Sequence, residues 1–232
     1  MPTVVLVALV GSVVAAVQPI TGETAREAWQ RVPQIIDAMK IGPDSVVADI
    51  GAGYGFLTVR LATVVGGSGK VYAVDSGDDA LQHLRQRMED ERLSNVVVIA
   101  GAPGDPHLPV AAVDAVVVVN AYHEFIFFDD MLGHIRDALK PDGRLVLVEP
   151  VPQKAGQTRA EQERDHVIDP DLVVADVTRA GLTVIQKDDR FVKRVDPTGE
   201  YYESLVVAQR RPTPRDAFSA APASVRRRTL AR

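Results

Sequence analysis

Glycine and aspartate residues between positions 49 and 75 form the pattern with the clearest chemical meaning in this sequence. Gly51, Gly53 and Gly55 alternate with other residues directly after Asp49, between an apolar run and a segment of helical periodicity. Glycines are needed where the backbone visits positive φ and where a ligand must approach without meeting a Cβ. A strand, a glycine turn and a helix in this order predict a site where backbone N–H groups and a helix N-terminus face a ligand.

Asp75 follows the apolar run 70–74. A carboxylate at the end of a second strand suits the two hydroxyls of a ribose, and such charged hydrogen bonds contribute about 1.5–3 kcal/mol each. The alternative for Asp75 is the N-cap of the next helix. A ribose ligand over this turn is compatible with a nicotinamide dinucleotide or with S-adenosylmethionine (SAM).

Asp49 distinguishes these two cofactors. A pyrophosphate over the turn would lie close to this carboxylate, and like charges about 4 Å apart repel by about 4 kcal/mol at an effective dielectric constant near 20. The ammonium group of SAM would be attracted instead. The glycines also follow a G-x-G-x-G pattern, whereas a dinucleotide site has G-x-G-x-x-G. We therefore predict SAM binding, and the alternatives are a nicotinamide-dependent oxidoreductase and a non-catalytic SAM-binding module.

The surrounding segments predict the elements that position these residues. Apolar runs predict buried strands, and amphipathic or capped segments predict helices between them. The predicted strands are 46–50, 70–74, 96–100, 115–119 and 144–148, and the predicted helices are 56–62, 79–91, 130–139 and 170–180. This alternation predicts a doubly wound α/β domain. Shorter apolar runs at 184–185 and 205–207 predict a closing antiparallel hairpin.

Two local signals refine this outline. A capping box at Thr24 and Glu27 predicts the start of a helix that carries Trp29. Pro33 predicts a second short helix with the proline in its first turn. The segment 102–113 is too short for a full crossover helix, so a loop or a single turn is expected there.

From about residue 24 to 209, these pieces resemble the class I SAM-dependent methyltransferases. Residues 49–55 match the first motif of that family and residues 74–75 the second. Residues 113–120 and 138–145 match the fourth strand and the approach to the fifth, and are characteristic of its small-molecule branch. The resemblance implies a Rossmann-like seven-stranded sheet with a reversed last strand. It also implies methyl transfer from SAM to a small, partly apolar acceptor.

The resemblance further implies which residues contact the cofactor. They are Asp49, Gly51, Gly53, Gly55, Asp75, Gly101, Ala102 and Asn120. The glycine turn would lie under the methionine part of SAM, with Asp49 near the ammonium group and Asp75 on the ribose. Gly101 and Ala102 would lie beside the adenine, and Asn120 beside the methionine moiety. Many relatives carry an acidic residue where this chain has Ala102, so Asp105 is an alternative partner for the adenine.

The segment 120–125 carries the residues best suited to acceptor chemistry. It lies just past the carboxyl edge of the fourth strand, where open α/β sheets bind ligands. Histidine titrates near pH ~6.5, so His123 is the predicted catalytic general base. The alternative is that His123 closes the loop as a structural hydrogen-bonding group. Tyr122 and Phe125 are expected to line an apolar pocket.

His166 lies in the polar segment 153–169, which is expected to arch over the same edge of the sheet. It is expected to be an exposed loop residue or to meet His123 across the pocket. Glu124 would complete a set of metal-binding groups, but no pair has the i, i+4 spacing of a helix-borne site. No metal ligand is therefore predicted.

Composition excludes several classes of function. A chain of 232 residues with 46% hydrophobic residues can bury one substantial core. The formal net charge of −5 argues against general nucleic-acid binding. There is no cysteine, which excludes disulfide bracing and thiol nucleophiles.

The two ends of the chain differ from the predicted SAM-binding domain at 21–210. The segment 1–20 is apolar, but its apolar stretch at 4–17 is shorter than the ~20 residues that a membrane span needs. It also lacks the basic leader of a signal peptide, because the first basic residue is Arg26. A degenerate export signal, a membrane-surface anchor giving weak membrane association, a buried element and a misassigned start remain alternatives. The tail 211–232, with six arginines and one aspartate, is predicted to be disordered. The predicted location is the cytoplasm.

Overall fold

The computed structural model describes residues 22–196 and 199–212. Its helices are α1 (Gly22–Trp29), α2 (Val32–Met39), α3 (Phe56–Val65), α4 (Asp78–Asp90), α5 (Phe128–Ala138), α6 (Arg159–Arg164) and α7 (Pro170–Arg179). Its strands are β1 (Val46–Ile50), β2 (Lys70–Asp75), β3 (Val96–Ala100), β4 (Val113–Val119), β5 (Leu139–Pro150), β6 (Thr183–Asp196) and β7 (Gly199–Gln209). A turn of 3₁₀ helix spans Tyr122–Glu124.

The seven strands form one sheet in the order β3-β2-β1-β4-β5-β7-β6. Strands β1 to β5 pair in parallel, whereas β7 runs antiparallel to both β5 and β6. This confirms the predicted doubly wound, Rossmann-like seven-stranded α/β sheet with a reversed last strand. The strand order reverses between β1 and β4, which leaves a crevice at their carboxyl ends.

Apolar side chains cover both faces of the central strands, as β4 illustrates. Val116 and Val118 pack in the cluster that includes α5 and α7, while Val117 packs in the cluster that includes α2 and α3. All three side chains are fully buried. Because successive side chains of a strand point to opposite faces, a strand covered on both faces requires a continuous apolar run.

The start of the first helix differs from the prediction. Helix α1 already contains Gly22 and Glu23, so Thr24 lies within its first turn and the predicted capping box there is wrong. A capping box does occur at Thr158 and Glu161, where it opens α6. The polar composition of 153–169 had concealed that helix. Pro33 lies in the first turn of α2, as predicted.

The edges of the sheet also differ in part. Strand β3 is an edge strand whose residues are all partly or fully exposed, so its predicted burial is wrong. An apolar run does not distinguish an edge strand from a central one. The connection 101–112 contains no helix, as predicted. The hairpin β6–β7 is much longer than 184–185 and 205–207, because its polar outward-facing residues conceal the strand pattern.

Residues 1–21, 197–198 and 213–232 lie outside the described ranges, and these include the apolar segment 1–20 and nearly all of the basic tail. The predicted domain boundaries therefore stay predictions. Within the described ranges, no helix is long and apolar enough to span a membrane.

Candidate active site

The glycine turn between β1 and α3 has the backbone conformation that its sequence predicts. Gly51, Gly53 and Gly55 have φ values of 75°, 53° and 80°, in the left-handed region. A Cβ on Gly51 would lie 2.3 Å from the Cβ of Ala121, so the turn packs directly against the segment after β4. A Cβ on Gly55 would lie 2.8 Å from Cδ1 of Leu84 in α4. Gly55 therefore permits close helix packing and does not line the clefts beside the turn.

Two clefts open at the carboxyl edge of the sheet and share Gly51. Seven of the eight predicted cofactor residues line these clefts, so the fold brings together residues from the ends of four strands. The first cleft is lined by Asp49, Gly51, Gly53 and Asn120, with Arg26 and Gln30. The second cleft is lined by Gly51, Asp75, Gly101 and Ala102, with Phe125, Ile126 and Met131.

Asp49 is the buried acidic group of the first cleft. The residue is 3% exposed, and its Oδ2 accepts a hydrogen bond of 2.6 Å from Oγ1 of Thr58. Burial raises the pKa of Asp49 to about 6, although the Thr58 bond and the charge of Arg26 oppose this shift. A cation bound in the cleft would favour the ionised carboxylate.

Two other polar groups of the first cleft are unsatisfied. Nε2 of Gln30 and Oδ1 of Asn120 are buried, and neither has a hydrogen-bond partner among the described residues. The amide of Gln30 is oriented by its other end, because its Oε1 accepts a 3.0 Å bond from Nε of Arg26. A buried group without a partner costs about 1–3 kcal/mol. A ligand that offers an acceptor to Gln30 and a donor to Asn120 would remove that cost.

Arg26 and Gln30 were not singled out from the sequence. Arg26 is half-buried in α1, its guanidinium lies 4.0 Å from the ring centre of Phe56, and burial lowers its pKa. Both residues lie upstream of the glycine motif and match no pattern. Only the packing of α1 over the turn places them in the cleft.

Asp75 joins the ends of β1 and β2. Its Oδ2 accepts a 2.8 Å hydrogen bond from the backbone N–H of Gly53, and its Oδ1 accepts a 2.9 Å bond from that of Gly77. The N-cap of α4 is Gly77, so Asp75 is not the N-cap that was its alternative role. The carboxylate is half-buried, lines the second cleft and has spare lone pairs for a ligand.

Many relatives carry an acidic residue at the position of Ala102, and Asp105 does not take over that role here. Its Oδ1 accepts a 2.7 Å hydrogen bond from the backbone N–H of His107, and its Oδ2 lies 3.9 Å from Nε2 of His134. Its side chain is absent from the lining of both clefts. Gly101 and Ala102 therefore offer the second cleft their backbone and small side chains.

A buried glutamate organises the segment after β4. Glu149, at the end of β5, is 1% exposed, and its Oε1 accepts hydrogen bonds from the backbone N–H groups of Ala121 (2.9 Å) and Tyr122 (2.8 Å). Its Oε2 lies 2.6 Å from Nδ1 of His123. A carboxylate accepts hydrogen bonds, so Nδ1 of His123 carries the proton and Nε2 is the free nitrogen. Sequence reasoning missed Glu149 because one acidic residue at a strand end forms no motif.

His123 is 6% exposed and does not line either cleft. Its Nε2 lies 3.4 Å from Nδ1 of His166 and 3.8 Å from Oε1 of Glu124. Burial acts to lower the pKa of His123, but the hydrogen bond and charge of Glu149 outweigh it and raise the pKa. Glu124 does line the second cleft, so the side chain of Glu124 lies between His123 and that cleft.

Phe125 lines the second cleft, as expected, but Tyr122 does not. Tyr122 is fully buried, and its hydroxyl donates a 2.7 Å hydrogen bond to Oδ2 of Asp176 in α7. Its expected place in the wall of an apolar pocket is therefore wrong. The side chain packs in the core cluster that includes residues of α5 and α7, and its hydrogen bond to Asp176 satisfies the buried hydroxyl.

Comparison with known proteins agrees with this geometry. A family model described as "Methyltransferase domain" matches residues 41–195. The chain is 27% identical over 179 residues to a probable cobalt-precorrin-6B C(15)-methyltransferase (decarboxylating) of Sulfurisphaera tokodaii, covering 75% of this chain and 88% of that protein. It is 30% identical over 122 residues to the ubiquinone/menaquinone biosynthesis C-methyltransferase UbiE of Ectopseudomonas mendocina, covering 52% and 47%. A SAM-dependent methyltransferase from Aquifex aeolicus has a TM-score of 0.66 at 20% identity, over 80% of this chain and 93% of that chain.

The sheet topology defines a Rossmann-like α/β domain, and the family model and the relatives identify it as an enzyme that uses SAM. Because the family match spans more than half of its length, the chain belongs to the methyltransferase-domain family and is a class I SAM-dependent methyltransferase. This confirms the predicted cofactor and enzyme class. The relatives give no support to the nicotinamide-dependent oxidoreductase or to the non-catalytic module.

Proposed function

We propose that this enzyme transfers the methyl group of SAM to a small, partly apolar acceptor, with SAM bound across both clefts. The observation that carries the proposal is the set of complementary groups in the first cleft. Asp49 and the unsatisfied oxygen of Asn120 suit an ammonium group, while Arg26 and the unsatisfied N–H of Gln30 suit a carboxylate. An α-amino acid carries both groups, so the methionine part of SAM would lie here.

The nucleoside part of SAM would then lie in the second cleft. The half-buried carboxylate of Asp75 would accept hydrogen bonds from the ribose hydroxyls. Gly101 and Ala102 would lie beside the adenine, and the side chains of Phe125 and Met131 would cover it. Because the two clefts share Gly51, the methyl carbon on the sulfonium of SAM would lie near the glycine turn and the segment after β4.

The acceptor is proposed to bind at that junction. Methyl transfer is an in-line displacement in which the acceptor lone pair forms a bond to carbon while the C–S bond breaks, so positioning and exclusion of water dominate. The two relatives named above are a probable cobalt-precorrin-6B methyltransferase and a C-methyltransferase of ubiquinone/menaquinone biosynthesis, and both names indicate small-molecule chemistry. Ile126 is 74% exposed at the rim of the second cleft and would contact such an acceptor.

Incubation with SAM labelled in its methyl group and with the small-molecule fraction of a cell extract tests the proposal. Label is expected to move to an extractable small molecule. His123 is the predicted catalytic residue, and His123→Ala is expected to lower the rate about 100-fold with SAM affinity changed less than twofold. His134→Ala, an exposed substitution on α5, is the control and should keep the full rate. Transfer of label only to protein or nucleic acid would contradict the proposal.

Affinity for SAM is expected to fall about tenfold between pH 7 and pH 5. The pKa of Asp49 in the free protein is about 6, and the ammonium group of SAM requires the ionised carboxylate. Each unit of pH below that pKa therefore costs about a factor of ten in affinity. Calorimetric titration at several pH values measures this, and Asp49→Asn should have a flat profile over the same range. A wild-type profile without this fall would show that Asp49 does not bind the ammonium group.

A further inference from the structure

The side chains of His123, Glu124 and His166 converge at the rim of the second cleft. Nε2 of His123 lies 3.4 Å from Nδ1 of His166, and Oε1 of Glu124 lies 3.8 Å from each of these nitrogens. A point equidistant from three atoms with these separations lies about 2.1 Å from each, and zinc bonds to histidine nitrogen are ~2.0–2.1 Å long. We infer that these three side chains bind one divalent transition-metal ion.

The orientation of His123 supports this inference. A metal-binding histidine usually donates its other ring N–H to a carboxylate or a carbonyl, which fixes the ring and its tautomer. Glu149 has this role for His123 at 2.6 Å, and two backbone N–H groups fix Glu149 in turn. The lone pair of Nε2 is therefore directed at Glu124 and His166 before any ion binds.

The ligand types indicate which ions would bind. Two imidazoles and one carboxylate favour Zn²⁺ and neighbouring transition metals over Mg²⁺ and Ca²⁺, which prefer oxygen ligands. The side chains of Glu124 and His166 are 63% and 72% exposed, so an ion can enter from solvent. Three protein ligands leave a position open, as in catalytic zinc sites.

The metal site itself does not depend on the proposed methyl transfer. The role of the ion in activating the acceptor rests on that proposed function. Glu124 lines the second cleft, so the open position would face the place proposed for the acceptor. An ion there would bind an acceptor oxygen and lower the pKa of a hydroxyl group, whose proton would pass to solvent water at this exposed rim before methylation. The ion would occupy the lone pair with which His123 would otherwise accept a proton, so it would replace His123 as the activating group.

Titration of the tag-free full chain with Zn²⁺ by calorimetry, and with Co²⁺ by visible absorption, tests the site. One ion per chain is expected, with a Co²⁺ spectrum of low coordination number. His166→Ala and Glu124→Ala should each weaken binding at least about tenfold, and Glu149→Gln should weaken it by about 10–100-fold. His134→Ala is the matched control, because His134 is also an exposed histidine beside a carboxylate, and it should not change binding.

Absence of binding, or equal affinity in the His166→Ala and wild-type proteins, would overturn the inference. SAM titration of the same samples keeps the two proposals separate. If SAM binds and Zn²⁺ does not, only the metal site is rejected. If Zn²⁺ binds and no methyl group is transferred to a small molecule in its presence or absence, the metal site stands and the proposed function fails.

Discussion

Asp49→Asn is expected to weaken SAM binding about 10- to 100-fold. A charged hydrogen bond between the ammonium group and this carboxylate contributes about 1.5–3 kcal/mol, and 1.4 kcal/mol corresponds to a factor of ten in Kd. Asparagine keeps the size of the side chain and an oxygen to accept the bond from Thr58. The loss should therefore come from the missing charge. Isothermal titration calorimetry at pH 7.5 measures it.

The Tm of the Asp49→Asn variant shows whether weaker SAM binding comes from the missing charge or from unfolding of the variant. Because folding raises the pKa of Asp49 to about 6, its contribution to stability is complete below the unfolded pKa of ~3.9 and is lost as the pH rises through about 6. Asparagine does not ionise, so the variant without ligand should have a Tm at pH 8 equal to or above that of the wild type. Asp37→Asn, an exposed substitution on α2, is the control for a removed charge. Unchanged affinity in Asp49→Asn would contradict the proposed cofactor orientation.

Asp176→Ala is expected to lower the free energy of unfolding by about 3–5 kcal/mol. Asp176 is 3% exposed and accepts hydrogen bonds from the hydroxyl of Tyr122 (2.7 Å), Nη1 of Arg159 (2.6 Å) and Nη2 of Arg179 (2.7 Å). The alanine variant leaves the buried hydroxyl of Tyr122 without its acceptor, and it leaves the guanidinium of Arg159 paired only with Glu163 among the described residues. For a domain of this size, the Tm should fall by about 10 °C, as followed by circular dichroism.

The same network connects the 3₁₀ turn at Tyr122 to α6 and α7. Burial and the bond to Asp176 raise the pKa of Tyr122, and hydrogen bonds that outweigh burial raise the pKa of Arg159. Both residues hold the 3₁₀ turn and α6, which carry or flank the metal ligands. Asp171→Ala, on an exposed carboxylate of the same helix, removes one surface ion pair and should cost less than about 1 kcal/mol. Equal Tm values for the two alanine variants would contradict the assigned role of Asp176.

The central strands were predictable because their signal is local. Strand β4 is apolar at every buried position, and a strand covered on both faces leaves few other residue types. Strand β6 and helix α6 were harder, since half of each faces solvent and its composition resembles that of a loop. The false capping box at Thr24 shows the same limit, because two residues three apart match by chance inside a helix.

The candidate site divides in a similar way. The place of Asp49, Gly51 and Gly53 in the first cleft was predictable because these residues belong to one local turn. Gly55 belongs to the same turn, but it serves the packing of α4 instead. Arg26, Gln30 and Glu149 were not predictable, because each is an ordinary residue whose role arises from what lies opposite it. A single sequence contains no record of those neighbours.

The sequence by itself determined the fold class and the cofactor. The alternation of apolar and amphipathic segments specifies the fold class, and the glycine turn with the preceding carboxylate indicates the cofactor. The tertiary structure alone decided that His123 and His166, 43 residues apart, direct their nitrogens at a common point. The physical reason is that strand order and the packing of α6 against the 3₁₀ turn set this contact. Neither depends on the identity of the two histidines.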